Sequence, residues 1–179
     1  MRFRMSMVVA VGVIAAAVTM VAATPALMAS AQQVHSTSSG RTCQTAKLRF
    51  ALGASRGTSS QRTQVVKLTN KGSSACMLRG FPGVNLIGTV KDNKNYSWPL
   101  VRQSVHYSTV MLKPGGTAHF NLIYLPAVPG DGININVTTI VITPPNDCKH
   151  AELTWRHSVL LQDGATHPGT YISPVLPGA

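Results

Sequence analysis

Apolar and polar residues alternate with a period of two along several stretches of this chain. The alternation is clearest over residues 47–52 and recurs within residues 62–69, 117–125 and 133–137. This period predicts half-buried β-strands. About seven to nine short strands, separated by turns rich in Gly and Pro, predict an all-β fold of the immunoglobulin-like antiparallel β-sandwich type. A small closed β-barrel is the alternative architecture.

Local breaks in the alternation predict turns and irregularities. The Lys-Pro-Gly-Gly run at residues 113–116 suits a type II turn, and predicts a hairpin formed by its two flanking strands. Residues 91–97 are charged and rich in Asn, which predicts a loop. The apolar phase slips at Thr138 and Thr139. Such a slip indicates a β-bulge or a strand that changes sheet.

The N-terminal region has the features of a secretory signal peptide. Arg2 and Arg4 precede an uncharged apolar run over residues 5–23, and a small-residue motif ends at Ala31. The pattern predicts a signal peptide at residues 1–31, cleaved between Ala31 and Gln32, and hence a secreted protein, either extracellular or associated with the cell wall. Because the apolar run is long enough to approach a membrane span, an uncleaved anchor is the alternative.

The remainder of the chain divides by composition into three parts. Residues 32–42 are rich in Ser, Thr and Gln, and are predicted to be a flexible lead-in. Residues 43–176 are predicted to form a single β-sandwich domain, which is long enough to bury a core. Residues 177–179 are predicted to be a short tail.

The chain is strongly basic. It has 16 Lys and Arg residues against five Asp and Glu, and the signal contains only two of the cations and none of the acids. The charge favours anionic cell-envelope polymers or an acidic secreted protein as partners. Lys47, Arg49 and Lys67 would form a cationic stripe if their strands are adjacent. The stripe has no interleaved aromatic residues, so no nucleic-acid partner is expected. Alternatively, the charge serves only solubility.

The chain contains three cysteines. In an exported domain, one pair is expected to form a disulfide, leaving one thiol unpaired. We expect the pair Cys43–Cys76, since Cys43 precedes the first strand and Cys76 opens the third. Cys148 then lies in a polar loop as the unpaired thiol, which is either inert or able to pair between chains.

The sequence contains no pattern typical of catalysis. The five acids lie beside turn residues, a Gly-x-Ser-x-Gly elbow is absent, and His106 and His119 lack an evident acidic partner. Cys148, His150 and His157 match no zinc spacing. We therefore expect a protein that is not an enzyme and binds no metal or cofactor. A secreted inhibitor or effector, acting through residues 91–97 or a loop at 126–132, is the alternative function.

Several runs of residues resemble a known family. The most specific is Cys-Met-Leu-Arg-Gly-Phe-Pro-Gly-Val at 76–84, accompanied by Leu-Lys-Pro-Gly-Gly-Thr-Ala-His at 112–119 and by Cys43 at the domain start. Together they resemble the domain of unknown function 4232 family, which occurs mainly in exported and lipoprotein-like actinobacterial proteins. The resemblance implies a secreted β-sandwich with a Cys43–Cys76 link and no assigned activity. Many members have a second cysteine pair, but Cys148 has no partner here.

Overall fold

The structure is a computed structural model that describes residues 40–57, 60–130 and 132–178. The predicted signal peptide, its cleavage site at Ala31 and Gln32, and most of the lead-in lie outside these residues. No helix in the described ranges has the length and hydropathy needed to traverse a bilayer.

Twelve strands occur in the described part of the chain, with short 3-10 helices at Thr45–Lys47 and Lys91–Asn93. Nine of the strands have four or more residues, in line with the predicted number, and three have only two. The strands are β1 (Leu48–Gly57), β2 (Arg62–Asn70), β3 (Cys76–Arg79), β4 (Gly83–Thr89), β5 (Asn95–Pro99), β6 (Val101–Arg102), β7 (Thr109–Leu112), β8 (Thr117–Tyr124), β9 (Asn134–Thr143), β10 (Ala151–Leu160), β11 (Tyr171–Ile172) and β12 (Leu176–Pro177).

The strands form two larger sheets and one two-stranded sheet. The first has the order β1-β2-β8-β11-β6, and β12 also pairs with β8. The second has the order β10-β9-β4-β5, while β3 and β7 form a separate pair. Strand pairings are antiparallel except that of β11 with β6. These sheets do not close into a barrel, so the predicted β-sandwich is confirmed.

The core follows directly from the period-two alternation. In β8, Ala118, Phe120, Leu122 and Tyr124 are each at most 1% exposed, whereas the residues between them are half-buried. The inward residues of all three sheets belong to one buried cluster. Burial of each large apolar side chain stabilises the fold by about 1.5–3 kcal/mol.

The predicted irregularity at Thr138 is a β-bulge. The pairing of β9 with β4 skips this residue, so that Val137 before it and Ile140 after it both face the core. At the bulge β9 approaches β4 closely. A Cβ atom at Gly88 would lie 2.2 Å from the carbonyl oxygen of Asn136, and therefore only glycine fits.

The predicted hairpin at residues 113–116 is wrong in its pairing, although its turn is present. The Gly116 N–H donates to the Lys113 carbonyl at 2.8 Å, and Gly115 has a φ of 76°, as a type II turn requires. The flanking strands belong to different sheets, since β7 pairs with β3 and β8 pairs with β2. β8 is a central strand, which pairs with β2 along one edge and with β11 and β12 along the other, so neither edge is left to pair with β7.

The predicted loop at residues 91–97 is also wrong in its second half. Lys91–Asn93 forms a 3-10 turn, and β5 then returns antiparallel to β4. Trp98, only 3% exposed, anchors β5 in the core. The charged and Asn-rich residues lie mainly in the turn before β5. They dominate the composition of this stretch, so the short alternation of exposed and buried residues that ends at Trp98 is not apparent from the sequence.

Both ends of the predicted domain extend further than expected. The Met77 N–H donates to the Arg41 carbonyl at 2.9 Å, within the predicted lead-in. At the other end, Pro177 pairs with Ala118 in β8. Residues assigned to the lead-in and the tail therefore take part in the folded domain.

Candidate functional site

The disulfide expected from the sequence is present. Cys43 and Cys76 are bonded, with their Cα atoms 4.9 Å apart, and both residues are buried. The Cys43 N–H also donates to the Met77 carbonyl at 3.0 Å. The link thus holds the N-terminal segment against β3. Cys148 is exposed and unpaired.

Asp147 connects this N-terminal segment to the turn between β9 and β10. Its Oδ2 accepts hydrogen bonds from the Thr45 N–H at 2.6 Å and the Thr45 hydroxyl at 2.8 Å. Its Oδ1 accepts from the backbone N–H groups of Cys148 and Lys149. The two bonds from Thr45 are the main reason that the pKa of Asp147 falls to about 2. The carboxylate therefore acts as a structural clasp.

Three lysine-bearing turns meet at one end of the six-stranded sheet. The Lys71 N–H donates to the Lys47 carbonyl at 2.9 Å, which joins the first two turns. The third contains Lys113, and is held by the Gly115 N–H, which donates to the Asn70 carbonyl at 2.8 Å. Lys47, Lys71 and Lys113 form what we name the basic turn cluster.

A buried amide organises the basic turn cluster. Asn70 is 1% exposed, and its Nδ2 donates to the Ser74 carbonyl at 2.9 Å and the Leu112 carbonyl at 3.1 Å. Its Oδ1 accepts from the Gly72 N–H at 2.9 Å. All hydrogen-bonding groups of this side chain are engaged, so the positions of the surrounding turns are fixed.

The outward side of the same sheet carries further positive charge. β1 and β2 are adjacent, as the predicted cationic stripe requires, with Arg49 opposite Thr69 and Lys67 opposite Ala51. On the other side of β2, Lys67 lies opposite His119 of β8. We name the surface formed by the cations Arg49 and Lys67 and by the neighbouring His119 the cationic face. β1, β2 and β8 contain no Asp or Glu.

A cavity of about 270 Å³ adjoins the disulfide. Arg41 and Lys47 supply positive charge to its lining, and Ser73 and Ser74 supply hydroxyl groups. No acidic residue lines it. The cavity therefore extends the positive potential of the basic turn cluster toward Arg41.

A separate cleft of about 360 Å³ lies at the corner that follows β3. Arg79, Phe81, Arg102, Tyr107 and Asn146 are among its lining residues. The Arg79 guanidinium lies 5.8 Å from the centre of the Tyr107 ring, and the Phe81 ring meets that ring edge-on at 5.6 Å. We name this the arginine–tyrosine cleft.

Sequence analysis missed the arginine–tyrosine cleft. Arg79 and Phe81 occur in the run at residues 76–84 that carries the family resemblance, where Phe81 is expected to fill the core. Arg102 lies in β6, Tyr107 and Asn146 lie in the connections after β6 and β9, and no sequence period relates segments this far apart. Only the meeting of the three segments in the folded domain reveals the cleft.

Comparison with known proteins identifies the family. The model of one family, described as a domain of unknown function, matches residues 43–173, which is most of the chain. The chain belongs to the family Domain of unknown function (DUF4232). The resemblance noted in the sequence is thereby confirmed, and the family description assigns no activity to the DUF4232 domain.

The other comparisons add little to the family assignment. No curated protein matches the chain. Among solved structures, a selenomethionine-labelled β-glucosidase from Kluyveromyces marxianus is similar with a TM-score of 0.31 and 9% identity. The similarity covers 70% of this chain and only 15% of the glucosidase chain. A similarity with so low a TM-score and identity supports no conclusion about the fold or function of the DUF4232 domain.

The histidines considered for catalysis do not assemble with an acid in the DUF4232 domain. The His119 Nδ1–H donates to the Gly178 carbonyl, and His106 lies in the exposed connection before β7. Across the described ranges, no carboxylate forms a hydrogen bond or salt bridge with either ring. Asp163 instead accepts a hydrogen bond from the Tyr96 hydroxyl, which raises the pKa of Tyr96.

The soft-ligand residues of the DUF4232 domain also remain apart. His157 packs on Trp155 with ring centres 4.4 Å apart, and its pKa is lowered by burial and then by the charge of Arg62. His150 faces Glu152 at 3.8 Å on the surface. Within the residues that the structure describes, no group of three or more His, Cys, Asp or Glu side chains is placed to hold a metal ion.

Proposed function

We propose that this DUF4232 protein is an exported, non-enzymatic domain that binds anionic polymers of the cell envelope. The cationic face carries the proposal, because the adjacent strands β1 and β2 align Arg49 and Lys67, and β1, β2 and β8 contain no acidic residue. The basic turn cluster continues this charge around the end of the sheet. Polyanions are attracted to such a surface over about a Debye length.

Export is supported by the sequence of the N-terminal region and by the disulfide. Residues 1–31 have the pattern of a cleaved signal, and a buried disulfide suits an oxidising compartment. Isolation of the protein from culture medium and cell-wall fractions, followed by N-terminal sequencing, tests this step. A product that begins at Gln32 is expected; a product confined to the cytoplasm contradicts export.

Retention on purified cell walls tests the binding step. The double variant Lys67→Glu/Lys71→Glu reverses two charges on the cationic face and the basic turn cluster. The matched control, Lys91→Glu/Lys94→Glu, makes the same change in net charge at the hairpin of the other sheet. We expect retention to fall with added salt, and to fall at least about tenfold in the first variant only.

The matched control separates a binding surface from a general effect of net charge. Equal losses in both double variants would show that overall charge alone causes retention. Retention that does not depend on salt would show that the contact is not electrostatic. Either result contradicts the proposed surface.

A second function is favoured by a different observation. Val128 is 47% exposed in the connection after β8, and Ile133 is 61% exposed just before β9. Exposed apolar side chains close together in sequence suit a protein partner, as in a secreted inhibitor or effector. A stoichiometric secreted partner that is captured by the native protein and lost on Val128→Ser substitution would support this function.

A further inference from the structure

We infer that the arginine–tyrosine cleft binds a small ligand in which an oxyanion, a phosphate or a carboxylate, is attached to a sugar ring. The site is distinct from the cationic face, because its residues come from β3, from β6 at the far edge of the six-stranded sheet, and from the connections after β3, β6 and β9, whereas the cationic face lies on β1, β2 and β8. We therefore expect the cleft to recognise a defined small molecule, in addition to the retention of the protein on a polyanion by the cationic face.

Charge in the cleft is uncompensated. No acidic residue lines it, and neither the Arg79 nor the Arg102 guanidinium forms a hydrogen bond or salt bridge with another described residue. A guanidinium presents a planar fork of donors that matches the oxygens of a carboxylate or a phosphate. Two such groups lining one cleft favour an oxyanion ligand over a cation or a neutral group.

The aromatic wall of the cleft is held in place by its neighbours. Tyr107 is 48% exposed, and its ring is supported by the edge of Phe81 and by Arg79. Gly80, whose φ of 101° is in the left-handed region that favours glycine, lies directly beside this ring, and a Cβ there would be in ordinary van der Waals contact with the Tyr107 Cε2 at 3.7 Å. A fixed, half-exposed ring with a hydroxyl offers both an apolar surface and a hydrogen-bonding group.

The polar side of the cleft is equally well fixed. Asn146 has a left-handed backbone with a φ of 60°, and the next residue, Asp147, is clasped to Thr45. The Asn146 amide can donate and accept hydrogen bonds at once, as a hydroxyl-bearing ring requires. In this cleft the guanidinium groups match the oxyanion of an anionic sugar, the aromatic ring matches the apolar face of the sugar ring, and the amide matches its hydroxyl groups.

The size of the cleft limits the ligand. A volume of about 360 Å³ is at the small end of the range for small-molecule sites. Arg102 also lines an adjoining depression of about 400 Å³, together with Gln103, His167 and Tyr171. The structure thus accommodates one charged sugar unit at the arginines, with space for a second unit beside it.

Isothermal titration of the protein with four probes tests the inference. Glucose 6-phosphate and glucuronic acid distinguish phosphate from carboxylate, glucose is the neutral control, and inorganic phosphate lacks the ring. We expect saturable binding of at least one charged sugar, weaker binding of inorganic phosphate and no binding of glucose. Binding of the phosphate or of the carboxylate sugar would each support the inference and identify the oxyanion.

Variants assign the binding to the cleft. We expect Arg79→Gln and Arg102→Gln each to weaken charged-sugar binding about tenfold, and Arg156→Gln on β10 to leave it unchanged. Tyr107→Ala should weaken charged-sugar binding while leaving that of inorganic phosphate unaffected. Because Arg102 is exposed in a two-residue strand, its substitution keeps the test valid if Arg79→Gln fails to fold.

Two results would overturn the inference. One is an absence of saturable binding of both charged sugars up to millimolar concentration. The other is an equal loss of binding in Arg102→Gln and Arg156→Gln, which would attribute binding to net charge. The Lys67→Glu/Lys71→Glu variant should bind the charged sugar normally, so failure here and failure of the envelope-binding proposal are distinguishable.

Discussion

Replacement of Asp147 by Asn tests whether one carboxylate clasps the N-terminal segment to the β9–β10 turn. Asn retains one acceptor oxygen but loses the charge, and it places an NH2 group where the carboxylate accepts hydrogen bonds from Thr45 or from the backbone of Cys148 and Lys149. The fall in the pKa of Asp147 from 3.8 to about 2 corresponds to at most about 2.5 kcal/mol of stability. Solvent screening of this partly exposed group reduces the expected effect to about 1 kcal/mol.

The pH dependence of this contribution has a defined sign. Because the pKa of Asp147 is lower in the folded state, its contribution is fully present above about pH 4 and is lost as the pH falls toward 2. We expect the free energy of unfolding by urea to differ by about 1 kcal/mol between wild type and Asp147→Asn at pH 7. The difference should shrink steadily below pH 4.

The matched control for this experiment is Glu152→Gln. The Glu152 side chain is 63% exposed and faces only His150, so its neutralisation should change the free energy of unfolding by less than about 0.5 kcal/mol. Equal stability of wild type and Asp147→Asn at pH 7 would refute the clasp. A difference that persists unchanged down to pH 2 would refute its electrostatic origin.

Two further predictions concern the scaffold. Removal of the disulfide by a Cys43→Ala/Cys76→Ala double substitution should lower the free energy of unfolding by about 4 kcal/mol, given the sequence separation of 33 residues; Cys148→Ser is the control and should have no effect. Gly88→Ala should destabilise the fold by about 2–3 kcal/mol in thermal or urea denaturation, because its Cβ would overlap the backbone of Asn136. Wild-type stability of this variant would show that the bulge does not require glycine.

The two proposed binding surfaces have different physical origins. The cationic face arises from strand register, which aligns side chains along the outward side of a sheet. The arginine–tyrosine cleft arises where the ends of β3 and β6 meet the connections that follow β3, β6 and β9. Variants at Lys67 and at Arg102 therefore report on independent properties, and each surface can be tested without altering the other.

Local patterns in the sequence determined the features that depend on neighbouring residues. Alternation in β8 indicated which face of the strand is buried, and the phase slip at Thr138 indicated the bulge. Pro114 and Gly115 indicated the turn between β7 and β8. These features were predictable because the side-chain period and turn geometry depend on a few consecutive residues.

Only the tertiary structure decided which strands pair and which surface residues meet. The turn at residues 113–116 suggested a hairpin, yet β8 pairs with β2 on one edge and with β11 and β12 on the other, and these distant segments leave no edge for β7. Burial of Trp98 anchors β5 in the core, where the sequence predicted a loop. Arg79, Arg102 and Asn146 form one cleft through contacts between distant segments, and such contacts depend on packing of the whole domain instead of any local period.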